Sequence, residues 1–370
     1  MARFVAVTSK DGEPLRLSRP LVEDHKGIDG YVPAPGLIEA IDVAMLLGVP
    51  LLLTGEPGTG KTRAAYWLAK KLGVDKPKPF DVKSTSTGRD LLYSFDEIAR
   101  FRDSAPGSVH RPLVRYLRFS PLGEAILRAA GGQAILTDLG EKPLEGEEFE
   151  RHEELIAQAF GADQVKAGAV RAHWLLPDEP KFASSDPEHR VVLIDELDKA
   201  PRDTPNDLLA EIDNMAFAIP ELGVRVSAGK AFRPIAIITS NSEKSLPEPF
   251  LRRCAYFDIP MPDKQLPDIV AGAITSLKGS EPLVADAISY FAALRLRGEI
   301  RKKPGTAELL AWIEVLLHRA KLDPRQPLRE VLRGNATRLD ALLGALVKSP
   351  DDLKLAREVL NEEFGSSEAN

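Results

Sequence analysis

The sequence predicts a layered α/β fold, a parallel sheet covered by helices on both faces, followed by a small all-helical domain. Three observations predict it. Short apolar runs recur without polar alternation, as strands buried on both faces do. Helical patterns lie between those runs, and strands alternating with helices indicate parallel crossover units. After "IPMPDKQLPDI" (259–269) the strand-like runs stop and only helical patterns remain.

The first strand is Leu51–Leu53. The helix after it is Lys61–Leu72, in which Ala65, Leu68, Ala69 and Leu72 share one face and Gly73 supplies the stop. Phe80–Ser84, Val191–Ile194 and Ile235–Thr239 read as further strands, and Ala255–Ile259 as one with alternation. Residues 140–190 open acidic, turn helix-like near Phe149–Phe160 and continue through "LLPDEPKFASSDPEHR" as a surface loop. They read as a solvated insertion or as a partner-binding element. The helical part holds patterns at Leu266–Leu277, Pro282–Leu296, Thr306–Lys321 and Thr337–Leu346. Val284, Ile288, Phe291 and Leu294 form one apolar stripe, and Leu309, Leu310, Ile313, Leu316 and Leu317 another. The closing "NEEFGSSEAN" reads as a frayed tail.

Composition narrows the function classes. The longest apolar stretch, Val43–Leu53, is too short to span a bilayer and is broken by Gly48 and Pro50. The first residues, "MARFVAVTSK", lack the apolar run of a secretion signal. The single cysteine, Cys254, excludes an internal disulfide and suits a reducing cytoplasm. A net charge of −6 argues against a dedicated nucleic-acid binder. The basic clusters "RYLR" (115–118), "RGEIRKK" (297–303) and the region 325–333 read as solvated helix faces. The histidines are scattered without zinc-site spacing.

The chemistry gathers in three stretches. Gly55-Glu56-Pro57-Gly58-Thr59-Gly60-Lys61-Thr62 fits G-x-x-x-x-G-K-[ST] between a strand and a helix. Its glycines let the backbone curl so that N–H groups face inward as an anion nest, above the positive end of the helix dipole. Lys61 supplies a mobile charge for the β- and γ-phosphates, and the Thr62 hydroxyl suits Mg²⁺. A buried strand ending in acid should accompany such a loop, and "VVLIDELDKA" (191–200) supplies one. Asp195 would hold Mg²⁺ through water, and Glu196 would orient or deprotonate the attacking water. The strand "IAIITSN" (235–241) ends in Asn241, a neutral amide able to position that water without charge repulsion. Arg252 and Arg253 follow a short helix directly before the next strand, where an arginine could be presented to a neighbouring subunit's nucleotide.

Together "GEPGTGKT", "VVLIDELDKA", "ITSN" and "LPEPFLRRC" resemble the AAA+ ATPases, and among them the MoxR-like branch. The resemblance covers most of residues 28–320. It implies a P-loop NTPase αβα sandwich with a five-stranded parallel sheet, a helical lid, and a homo-oligomeric, usually hexameric ring with ATP at the subunit interfaces. By that resemblance Asn241 matches sensor 1, and Arg253 the arginine finger, with Arg252 as neighbour or substitute. The segment 30–48, beginning Gly30-Tyr31, is similar to the one bordering the adenine. Tyr31, Gly55–Thr62 and Arg63 are thus the expected ATP contacts. Residues 111–127 resemble the segment around the helix-2 insertion of this branch, and 215–234 the hairpin before sensor 1. The implied organisation is an N-terminal extension (1–27), a core (28–262) with insertions near 104–130 and 140–190, a lid (263–350) and a tail (351–370). The lid lacks the branch's usual arginine: Thr306 falls in its place, and either Lys303 reaches the γ-phosphate or no lid cation acts.

The expected activity is ATP hydrolysis with Mg²⁺. Its expected use is to remodel a partner protein, during metal-cofactor insertion or complex maturation, often with a von Willebrand factor A partner. The alternative is a motor acting on nucleic acid in a restriction or defence system.

Overall fold

Leu51–Thr54 (β1) buries all four of its side chains, so it needs strands on both sides and packing on both faces. It has both strand neighbours. With β2 (Pro79–Asp81), β3 (Val191–Asp195), β4 (Ile235–Thr239) and β5 (Ala255–Asp258) it forms a five-stranded sheet in the order β5-β1-β4-β3-β2. Every pairing is parallel: Leu51 faces Ala255 and Ile237, Val191 faces Ile235, and Pro79 faces Leu193. The central strands are apolar runs buried almost throughout. Edge strand β5 alternates between half-buried and exposed residues, which is the alternation its sequence shows. The computed structural model describes residues 30–105, 111–201, 204–241, 246–274, 276–318, 322–328, 330 and 341–364. The N-terminal extension expected over 1–27 lies outside them.

The chain divides into two compact units. The larger takes Pro35–Thr54 and Ala64–Asp258; the other takes residues 30–34, Gly55–Arg63 and the described chain from Ile259 on. In the larger unit, α1 (Leu37–Leu47) packs on β1 and β5. The helix α2 (Lys61–Leu72) begins at the end of the phosphate loop. Then come α3 (Pro121–Ala130), packed on β3, and the short helices α4 (Gly146–Arg151) and α5 (Glu153–Phe160). α6 (Thr204–Asn214) precedes an antiparallel hairpin, Ala216–Ile219 against Val224–Ser227, where a hairpin was expected. α7 (Glu248–Leu251) precedes β5.

The stretch 140–190 is not merely solvated: residues 177–181 of the expected surface loop are exposed, but the stretch is anchored by buried side chains. Phe149, Ile156, Phe160, Val170, Trp174 and Phe182 join the same hydrophobic core as Val192, Ile194 and Ile238. Its acidic residues are the outer face of a packed element. The strand expected over 80–84 is Pro79–Asp81, which ends three residues earlier than the sequence reading.

In the second unit, α8 (Leu266–Ala273), α9 (Pro282–Leu296), α10 (Thr306–His318) and α11 (Pro350–Phe364) share one core. Leu309, Ile313 and Leu316 meet Val284, Phe291 and Leu294 there, as the two stripes require. Three expectations are corrected. The first helix stops at Ala273 rather than Leu277. Of 337–346 the described part is a 3-10 turn, Ala341–Ala345. The stretch read as a frayed tail is helical to Phe364, because Ala356, Val359, Leu360 and Phe364 are buried in this core. Residues 319–321 and 337–340 lie outside the described residues. Among the described residues no helix is long and apolar enough to cross a membrane.

Candidate functional site

The phosphate loop leaves β1 after Thr54 and runs into α2. Three of its residues take positive φ, Gly55 at 136°, Gly58 at 83° and Gly60 at 94°, a region open to glycine at little cost. A Cβ at Gly60 would sit 3.1 Å from the Tyr31 ring. The Lys61 Nζ, at the start of α2, is buried and donates to the carbonyls of Gly55 (2.8 Å) and Glu56 (3.1 Å). Thr59 donates its hydroxyl to the Glu56 carbonyl at 3.0 Å, closing the turn. Thr62 is the second residue of α2. Tyr31 and Arg63 are close enough to feel one another's charge. Burial raises the Tyr31 hydroxyl pKa against the pull of Arg63, and burial lowers Arg63.

The acid pair stands at the carboxyl end of β3, the edge where open α/β sheets collect ligands. Glu196 takes the left-handed conformation, φ 59° and ψ 49°, uncommon for a residue with a Cβ and costing about 1–3 kcal/mol. What holds it there is Thr239, the last residue of β4. The Thr239 hydroxyl accepts the Glu196 N–H at 2.9 Å and donates to Asp195 Oδ1. One buried hydroxyl thus fixes both acidic residues. The Asn241 side-chain amide lies 3.4 Å from Glu196 Oε1, and its backbone N–H donates to Asp198 at 3.2 Å. Lys199 closes the other side by pairing with Glu196 Oε2, and that bond raises the Lys199 pKa. Tyr66 of α2 feels Asp195 as well: burial, then the charges of Asp195 and Asp81, push its hydroxyl pKa up.

Over residues 50–254 the sequence matches the family model of the AAA domain, dynein-related subfamily. The chain belongs to this family. No curated protein matches it. Among solved structures it is similar to a point variant of RuvB from Thermotoga maritima, with 15% identity and a TM-score of 0.35, over 88% of this chain and 85% of that one.

The AAA domain so matched includes the phosphate loop, Asp195-Glu196, Asn241, Arg252 and Arg253; Tyr31 and Lys303 lie outside its bounds. Asp195, Glu196 and Asn241 come together in one hydrogen-bonded group, and Tyr31 comes to Gly60 and Arg63. Arg252 and Arg253 follow α7 and are both exposed; Arg252 pairs with Glu248 one helical turn back. Lys303 is exposed, and its charge helps to hold the Glu56 carboxyl below the usual range, a shift led by the hydrogen bond from Arg295.

Sequence reasoning missed Thr239, Lys199 and Arg295. Thr239 carried a signal, as the one hydroxyl inside "IAIITSN" ahead of the terminal Ser-Asn. Arg295 sits two residues before the cluster "RGEIRKK" and was passed over with it. One histidine also has company: Asp138, Glu148 and His152 offer donor atoms within 4.8 Å of one another. Each is already engaged nearby, Asp138 with the Lys142 N–H (2.8 Å), Glu148 with Arg151 (2.9 Å) and His152 Nδ1 with the Glu148 carbonyl (2.8 Å).

Proposed function

We propose that this AAA domain protein hydrolyses ATP at the interfaces of a homo-oligomeric ring and uses the cycle to remodel a client protein. The observation that carries the reading is the Asp195–Thr239–Glu196–Asn241 group at a strand end, in a chain whose strand β1 runs into a complete phosphate loop. The donors suit a triphosphate with a hard cation: left-handed glycines, Lys61, the Thr62 hydroxyl and the Asp195 carboxylate. Mg²⁺, held by Thr62 and Asp195, would supply charge neutralisation on the phosphate oxygens.

The chain's own residues supply the rest. The loop N–H groups and Lys61 bind the phosphates. Glu196 takes the proton of the attacking water, and Asn241 holds that water in line. Thr239 keeps Glu196 in its strained backbone conformation. Arg253, with Arg252 beside it, is offered from an exposed turn to the nucleotide of the neighbouring subunit. Tyr31 and Arg63 border the nucleotide.

The MoxR-like reading of the motifs makes the ring hexameric and the client a protein, a von Willebrand factor A partner among the candidates, matured or loaded with a metal cofactor. The test is phosphate release from ATP with Mg²⁺. The parent chain should turn over, and Glu196→Gln should bind ATP yet lose about 10²–10⁴-fold in rate. Equal turnover in the two would remove Glu196 from its role.

A further inference from the structure

Glu56 is an odd residue for a loop built to hold anions. The loop carries Lys61 and glycines suited to anions, and Glu56 adds a half-exposed carboxylate to it. That carboxylate is not alone. Arg295, the penultimate residue of α9, pairs with Glu56 Oε2 through Nη2. Its Nη1 donates to the Pro304 carbonyl at 2.6 Å, and its guanidinium lies over the Phe291 ring with 5.5 Å to the centroid. Only 10% of the Arg295 side chain is exposed. The neighbouring backbone is in close contact as well: a Cβ at Gly58 would lie 2.9 Å from the Gly305 Cα, and one at Gly305 2.6 Å from the Pro57 carbonyl oxygen. All these residues belong to one compact unit.

We propose that Arg295 is a positioning residue that neutralises Glu56 and so sets the affinity of the phosphate loop for nucleotide. The inference rests on the nucleotide reading above. Held between Phe291, Pro304 and Glu56, the guanidinium cannot swing to solvent without leaving Glu56 unpaired. Lys303, whose charge also reaches Glu56, is exposed and therefore better screened. Arg295 thus decides whether the loop meets a triphosphate with a net negative side chain at its tip.

A mere structural tether and a charge neutraliser differ in sign, which makes them separable. The measurement is the affinity of the full chain for Mg²⁺–ATP, by calorimetric titration. Arg295→Met keeps the apolar stem over Phe291 and removes the charge; it should bind about tenfold more weakly, the size of one unit charge acting over several ångström at intermediate dielectric. Glu56→Gln should bind more tightly than the parent. The double variant Arg295→Met/Glu56→Gln should return to within about threefold of the parent, because the uncancelled charge is gone. Arg295→Lys keeps the charge and should retain most of the affinity. Equal losses in both single variants without recovery in the double would overturn the inference, and so would an Arg295→Lys as weak as Arg295→Met. Failure of the parent chain itself to bind ATP would remove the phosphate-loop reading, and is seen before any variant is made.

Discussion

Thr239 is the residue on which the acid pair turns. Its hydroxyl is used twice, as acceptor for the Glu196 N–H and as donor to Asp195, and it is 1% exposed, so water cannot replace it. Thr239→Val keeps the shape and removes both bonds. Turnover should fall about 10–100-fold, the usual cost of losing a group that orients the reacting ones, while ATP affinity changes little; steady-state phosphate release beside nucleotide titration separates the two. Cys254 makes the opposite case, a reactive type made inert. Burial, with Asp213 adding, pushes its thiol pKa up to about 12, so at pH 8 only about one molecule in ten thousand carries the thiolate that reacts. A thiol reagent should label it slowly in the native chain and at once in denaturant.

At the scale of elements, the strand–loop–helix unit of β1, phosphate loop and α2 is built on glycines that no other residue replaces without strain. Gly58→Ala would meet both a φ of +83° and the Gly305 Cα at 2.9 Å. It should abolish ATP binding while leaving the helical content of the circular dichroism spectrum unchanged. In the helical unit, α11 is tied to the loop after α9 by Asp352, which is buried and accepts the N–H groups of Arg301 (2.8 Å) and Lys302 (3.3 Å). Burial acts to raise its pKa, but those N–H groups, Ser349 and the charge of Arg301 hold it below the usual carboxylate range. A lowered folded pKa means the stability it adds is present above the unfolded value, near about 3.9, and is lost as pH falls through the folded one. Asp352→Ala should therefore cost about 1–3 kcal/mol at neutral pH. The gap in Tm between parent and variant should close as the pH drops below about 4.

These elements also mark how far a sequence can be read. The central strands and α2 were legible because apolar runs and helical spacing are local signals. So were the strand–loop–helix connection at Gly55–Thr62 and the strand that ends at Asp195, because glycines and a terminal acid mark such turns locally. The helix-like pattern near Phe149–Phe160 was legible too, but the burial of residues 140–190 was not, since Phe149, Phe160, Trp174 and Phe182 are spread among acids and prolines and find their core only through tertiary contact. For the same reason α11 was mistaken in part for a tail: a polar helix with a few well-spaced apolar residues declares itself once a partner face exists. Thr239 and Arg295 act through residues 44 and 239 positions away, a distance no window spans.

For the molecule as a whole, the reading requires more than one copy. If Arg253 completes a neighbour's site, it should supply about 10³–10⁵ in rate, or on the order of 4–7 kcal/mol of barrier. Turnover per chain should then rise with protein concentration. Arg253→Ala should bind ATP and lose most turnover, and mixing it with Glu196→Gln should recover part of it by pairing intact half-sites. No recovery, with assembly intact, would count against sharing of the site. The central claim is narrower: the phosphate loop and the acid pair serve one metal-bound triphosphate. It is tested most directly by measuring ATP affinity with and without Mg²⁺ in the parent and in Asp195→Asn. The account predicts that Mg²⁺ tightens binding in the parent and does so far less in the variant. An identical Mg²⁺ response in both, or no affinity for ATP in the parent, would contradict it.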